Sequence, residues 1–152
     1  MECVLLIGLP AAGKSGFYRD RFASTHDHVS KDLLRNNRRP DRRQAQLITA
    51  SLASGRSVVV DNTNATRAAR AAIITMARVR GADVSGYYFP IDAQEALRRN
   101  RARHGRERVP DAAIFTVRKR LEPPTPAEGF DRLFVVKLNE AARSFEVSEW
   151  EP

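Results

Sequence analysis

Continuous apolar runs alternate along this chain with stretches whose apolar residues recur at helical spacing. Cys3-Val4-Leu5-Leu6-Ile7 is unbroken, the pattern of a strand buried on both faces, and it stops at Gly8. A helix is expected to start near Lys14 and to carry Phe17, Tyr18, Arg21 and Phe22. His28-Val29-Ser30 reads as a short extended stretch ending at Lys31-Asp32, and a helix over Gln44 to Ser54 places Ala45, Ile48 and Leu52 on one face, with Gly55 as its stop. Val58-Val59-Val60 is β-branched throughout and predicts a second strand, with Asp61-Asn62-Thr63-Asn64 at its C-terminal end.

Thr66 can cap a helix running to about Arg80, where Gly81 stops it, and Val84 to Phe89 predicts a strand ending at Pro90. Asp92 offers the next N-cap, with Glu95 in the capping-box position for a helix through Ala96, Leu97 and Asn100. Residues 98–109 read as a helix end passing into a mobile loop, and a further helix is expected from Asp111 to Leu121. Glu122-Pro123-Pro124-Thr125-Pro126 argues against regular structure, and Leu133-Phe134-Val135-Val136 predicts a last strand. Beyond Asn139 the pattern is weak: Phe145, Val147 and Trp150 can pack a short tail onto the core, in a register the pattern does not define.

This alternation predicts an α/β open sandwich: a mostly parallel sheet of about five strands with helices on both faces. Ligands in such folds sit beyond the carboxyl ends of the strands. Gly8 to Ser15, Asp32, Asp61 to Asn64 and Pro90 occupy those ends, so the fold reading nominates one functional face.

The chain's 152 residues and 42% apolar content fit a single domain spanning 1–152, able to build a core without disulfides. Cys3 is the only cysteine, so no intrachain disulfide can form and a reducing, cytoplasmic setting is expected. The N-terminal apolar stretch ends at Leu9, far short of the roughly 20 residues a bilayer span needs, so no membrane partner is expected. A net charge of +8 predicts an anionic partner without choosing one. Of the 26 basic residues only four are lysine; arginine's planar fork suits paired phosphate oxygens, although a codon bias toward arginine explains the count equally well.

Gly8-Leu9-Pro10-Ala11-Ala12-Gly13-Lys14-Ser15 matches the GxxxxGK[ST] phosphate loop, between a predicted strand and a predicted helix. Such a loop wraps backbone N–H groups from Gly8 through Ala11, Ala12, Gly13 and Gly16 around a nucleotide phosphate. Its lysine, Lys14, reaches the β- and γ-oxygens and its serine, Ser15, can hold Mg²⁺. ATP and Mg²⁺ are therefore the expected cofactors. Asp32 stands at the end of the second predicted strand, where it can take a proton from an acceptor hydroxyl or cap a helix; Arg35 can hold an acceptor phosphate or be merely solvated. Asp61 can hold a magnesium-bound water, brace Ser15 or cap its own turn, and Asn62, Thr63 and Arg67 can bind substrate or bond within the loop.

Two arginine clusters flank these positions. Arg98, Arg99, Arg101, Arg103, Arg106 and Arg108 suit a lid over residues 98–109, with Arg99 and Arg103 favoured for the donor phosphates because they lie four apart on a helix. Arg35, Arg38, Arg39, Arg42 and Arg43 follow Asp32 and suit a phosphodiester acceptor better than a small sugar, or form an ordinary solvated loop. His26, His28 and His104 lack metal-ligand spacing.

From Gly8 to about Val136 the chain resembles the kinase module of the polynucleotide 5′-hydroxyl kinases, the end-healing family found in phage, bacteria and animals. The likeness is carried by His28-Val29-Ser30-Lys31-Asp32, by Asp61-Asn62-Thr63-Asn64, and by the Phe115 to Phe130 stretch FTVRKRLEPPTPAEGF. It implies Lys14 and Ser15 as the phosphate-loop pair, Asp32 as the general base toward the 5′-hydroxyl, Arg35 on the acceptor's 3′-phosphate or scissile-side backbone, and lid arginines near Arg99 and Arg103. Ala11 and Gly16 depart from the family's Gly-x-Pro-Gly-x-Gly-Lys-Ser-Thr loop, replacing a glycine and the threonine. The expected activity is transfer of the ATP γ-phosphate to the 5′-hydroxyl of DNA or RNA by a kinase module alone, with no obligate protein partner. A small-metabolite kinase and a nucleotide-dependent switch are the alternatives.

Overall fold

A computed structural model describes all 152 residues. Six strands form one sheet: β1 (Glu2–Gly8), β2 (Asp27–Val29), β3 (Val58–Asp61), β4 (Asp83–Phe89), β5 (Arg132–Asn139) and β6 (Ser144–Glu149), in the spatial order β2-β3-β1-β4-β5-β6. The first five pair in parallel, and β6 returns antiparallel on β5. Helices α1 (Lys14–Arg21), α2 (Pro40–Ala53), α3 (Arg67–Val79), α4 (Ala93–Arg101) and α5 (Asp111–Arg120) connect the strands.

β1 sits at the centre because Cys3 through Ile7 are fully buried, with Val58–Val60 beside them equally sealed from solvent. Burying side chains of this size stabilises by roughly 1.5–3 kcal/mol each, which makes the β1–β3 pair the anchor of the phosphate loop that follows β1. Burial also pushes the Cys3 thiol up to about 12, so it stays protonated and unreactive.

Both expected side-chain caps form: Thr66 Oγ1 accepts from Ala69 N at 3.1 Å, and Asp92 Oδ1 accepts from Glu95 N at 2.7 Å. The capping box expected of Glu95 does not close, because its carboxylate is taken by Arg98 and Arg99. Two further expectations are corrected. The sheet has six strands rather than about five, since the chain beyond Asn139 forms β6 and turns Phe145 and Val147 onto the β1 core. α2 begins at Pro40, whose fixed φ suits the first helical position, four residues before the apolar face becomes visible. The proline-rich segment is irregular from Glu122 to Thr125, as expected, and leads into a 3-10 turn at Pro126–Glu128 closed by a capping box between Thr125 and Glu128. No helix is long and apolar enough to cross a membrane.

Candidate active site

Gly8 ends β1 against β4, where a Cβ would come within 3.1 Å of both Phe89 Cβ and the Phe89 carbonyl, so any side chain there would have to push β4 back by a few tenths of an ångström. The loop then uses two left-handed residues, Ala11 at φ 67° and Gly13 at φ 101°. Gly13 pays no Cβ penalty there, whereas for Ala11 the conformation costs about 1–2 kcal/mol. The result is a turn that delivers the unpartnered first amides of α1 to the cleft, with Gly16 in the helix's first turn.

Lys14 folds back over this loop, its Nζ donating to the Gly8 carbonyl at 2.8 Å and the Leu9 carbonyl at 2.6 Å. Burial lowers its pKa to about 8; the nearby Asp61 carboxylate opposes that shift, Arg103 adds to it, and Asp32 opposes it more weakly. Ser15 Oγ donates to Asp61 Oδ2 at 2.8 Å, and the same oxygen receives Nε2 of His28 at 2.8 Å. His28 is held by stacking on Tyr18, ring centroids 3.9 Å apart. Of the three roles open to Asp61 in the sequence, bracing Ser15 is realised.

Ser30, not Asp32, caps the 3-10 turn at Lys31–Leu34: its side chain accepts from Asp32 N at 3.2 Å. The Asp32 side chain is 81% exposed in the cleft, with Arg35 Nη2 no nearer than 3.9 Å. Asn62 locks this turn to the β3 loop, its Oδ1 accepting from Lys31 N at 2.8 Å while its Nδ2 donates to Gln44. The cleft is thus lined by Ala11, Ala12, Lys14 and Ser15 of the phosphate loop, by Asp32, by the Asp61–Thr66 loop, and by Arg103 and Arg120.

The other predicted residues lie elsewhere. Arg99 is 13% exposed behind the phosphate loop, paired with Glu95 at 3.0 Å and Glu140 at 3.1 Å and reaching the Ala12 carbonyl at 3.4 Å. It supports the loop from outside, so the shared face expected for Arg99 and Arg103 does not deliver both to the cleft. Arg35 Nη2 donates to the Arg106 carbonyl at 2.9 Å, tying the Asp32 turn to the 101–108 loop. Arg39 is exposed at the N-cap of α2, and Arg67 is exposed in the first turn of α3; neither lines the cleft.

Two polar residues that the sequence reading passed over organise the surroundings. Asn100, fully buried, clamps the base of the arginine-rich loop by donating to the Val109 carbonyl at 2.7 Å and accepting from Val109 N at 3.0 Å. Asn100→Ala is expected to lose about 1–3 kcal/mol and to speed tryptic cleavage at the loop's arginines; an unchanged cleavage pattern would remove the clamp from the account. Arg70, also fully buried, forks onto Glu128 at 2.8 and 3.1 Å and donates to the Asn64 carbonyl at 2.9 Å. Asn64 Nδ2 in turn bridges the Leu6 and Val60 carbonyls at 2.7 and 3.1 Å, clasping the ends of β1 and β3. A polar residue on an otherwise apolar helix face was the available signal for Arg70; His28 and Asn100 carried none at the level of spacing.

A family model described as an AAA domain matches residues 3–124. The bifunctional polynucleotide phosphatase/kinase of Schizosaccharomyces pombe is 27% identical over 136 residues, covering 85% of this chain and 32% of that protein. The chain spans about a third or less of the length of the curated relatives it matches. Among solved structures, a fungal RNA kinase superposes with a TM-score of 0.67 at 14% identity, over 99% of this chain and 78% of the other. A gluconokinase from Sinorhizobium meliloti 1021 gives 0.66 at 21%, over 90% and 82%. Kti12 from Chaetomium thermophilum in complex with ADP-AlF3 gives 0.66 at 16%, over 91% and 92%. At these identities the likeness to the solved structures is one of fold.

Proposed function

Since the chain belongs to the AAA domain family, as a P-loop kinase domain, we propose that it transfers the γ-phosphoryl group of ATP to the 5′-hydroxyl end of DNA or RNA. One observation carries this reading: the Asp32 carboxylate, released from capping by Ser30, faces the cleft that also holds Lys14 and Ser15. A carboxylate so placed can orient an acceptor hydroxyl and take its proton while the phosphate loop holds the donor. The homologous stretch of the S. pombe phosphatase/kinase and the family likeness of HVSKD and DNTN support a polynucleotide acceptor.

In this reading the first-turn amides of α1 and Lys14 hold the β- and γ-phosphates, and Arg103, reaching in from a lid over 98–109, stabilises charge on the transferring group. Ser15 Oγ and the Asp61 carboxylate are adjacent hard oxygen donors, a set that fits Mg²⁺, an ion commonly held by one or two protein oxygens, water and phosphates. When bound, Mg²⁺ would neutralise phosphate charge. Arg99 positions the loop through the Ala12 carbonyl instead of touching ATP.

Transfer of radiolabelled γ-phosphate, compared across 5′-hydroxyl oligonucleotides, nucleosides and sugars, tests the proposal. Label on oligonucleotides is expected. Label on sugars alone would make the protein a metabolite kinase, and ATP binding with no labelled acceptor would make it a switch.

Lys14 supplies a second check. In the free protein it is about half deprotonated at pH 8, and a triphosphate restores its charge, so ATP binding at that pH should take up about half a proton. Calorimetry in buffers of different ionisation enthalpy measures this; heats independent of buffer would refute it. The same depressed pKa sets a stability trend. Below pH 8 both folded and unfolded Lys14 are charged and the full burial penalty applies; between pH 8 and the ordinary 10.5 the folded form sheds its proton first, so stability from this group rises.

A further inference from the structure

The cleft is lined by four cations, Lys14, Lys31, Arg103 and Arg120, against the carboxylates of Asp32, Asp61 and Glu107. Three of the cations are engaged. Lys14 donates to loop carbonyls, Lys31 pairs with Asp41 at 2.5 Å, and Arg103 Nη1 donates to the Glu107 carbonyl at 3.2 Å. The Arg120 side chain makes no hydrogen bond and no ion pair, which sets it apart from the other cations of the cleft and from arginines such as Arg56, Arg70 and Arg78 that find carboxylates elsewhere.

Its place is nevertheless set on both sides. Leu121, the next residue, packs against two core clusters, and Glu122 N donates to the Ala65 carbonyl at 2.8 Å. The end of α5 is thereby tied to the loop after β3, and of its basic trio Arg118, Lys119 and Arg120 only Arg120 lines the cleft. That loop is bonded at its other end, through Asn62, to the turn bearing Asp32. Asp32 and Arg120 therefore flank the one wall that this loop forms.

We infer that Arg120 forms an anion subsite on the acceptor side of the cleft, where its guanidinium binds a backbone phosphate of the acceptor strand. This rests on the polynucleotide reading above and sharpens it, since an uncharged sugar gives such a group nothing to neutralise. Arg35, which the family likeness assigns to the acceptor phosphate, is engaged with the Arg106 carbonyl and stands outside the lining, so Arg120 is the unengaged cation available from this wall. An arginine fork suits the paired oxygens of a phosphodiester, and the low-competition position keeps its donors available.

The test uses the whole chain and two variants, Arg120→Ala and Arg120→Lys, with a 5′-hydroxyl oligonucleotide. Arg120→Ala should raise the KM for the oligonucleotide about tenfold, leave the KM for ATP unchanged, and lower the slope of log affinity against log salt by about 0.7, the loss of one single-strand phosphate contact. Arg120→Lys should recover part of the affinity. Oligonucleotide binding followed by fluorescence anisotropy gives the salt slope independently of transfer. If the wild type binds and phosphorylates the oligonucleotide but Arg120→Ala matches it in KM and salt slope, the subsite is wrong and the polynucleotide reading stands. A rise in the KM for ATP alone would move Arg120 to the donor side and equally overturn the subsite. If the wild type neither binds nor phosphorylates the oligonucleotide, the polynucleotide reading fails and the subsite fails with it.

Discussion

Asp32→Ala is expected to reduce phosphoryl transfer to a 5′-hydroxyl oligonucleotide by two to four orders of magnitude while leaving ATP affinity within about twofold of the wild type. The magnitude is that of a positioned general base, and the selectivity follows from geometry. In the proposed reaction ATP phosphates are held by the loop amides and Lys14, and no hydrogen bond links the Asp32 carboxylate to any of these groups. The backbone of the turn should persist because Ser30 supplies its cap and Asn62 holds Lys31, neither through the Asp32 carboxylate. Single-turnover transfer of label, run beside equilibrium ATP binding, separates the two effects. Transfer within tenfold of the wild type would remove Asp32 from the chemistry; a parallel collapse of ATP binding would make its role structural.

The second large effect concerns stability. Glu128→Ala should destabilise the protein by about 3–5 kcal/mol, because it leaves the fully buried Arg70 guanidinium without its counter-charge. Urea denaturation reads this as a lower midpoint at unchanged slope. Replacing both partners with leucine should recover much of the loss, since desolvating a paired charge is itself costly. A Glu128→Ala protein as stable as the wild type would show that water reaches Arg70. The damage should also extend to the cleft. Arg70 holds the Asn64 carbonyl, and Asn64 clasps β1 to β3 where the phosphate loop and Asp61 begin.

This buried pair accounts for a feature met first as a string of letters. The breaker-rich Glu122–Pro126 stretch argues against regular structure, yet Glu122 N bonds the Ala65 carbonyl, Thr125 and Glu128 close a capping box, and Glu128 reaches into the core for Arg70. Prolines and glycine exclude long helices and strands; they do not exclude a segment built to present one carboxylate. β6 escaped notice for a related reason. An edge strand with only Phe145 and Val147 turned inward offers two apolar positions, too few to set a register until β5 is there to pair with it.

What the sequence determined by itself was whatever depends on neighbours in the chain. Unbroken apolar runs defined β1 and β3, the side-chain caps at Thr66 and Asp92 marked helix starts, and the spacing from Gly8 to Ser15 marked the phosphate loop within its strand and helix. Only the tertiary structure decided which charges share the cleft. Arg99 and Arg103 lie four apart on the chain, yet one braces the phosphate loop from behind and the other lines the cleft; Asp32 and Arg120, 88 positions apart, share a wall. An arginine side chain carries the same charge in either place, and its surroundings, set by backbone pairings such as Glu122 to Ala65, determine whether that charge is neutralised by a carboxylate or left facing a ligand.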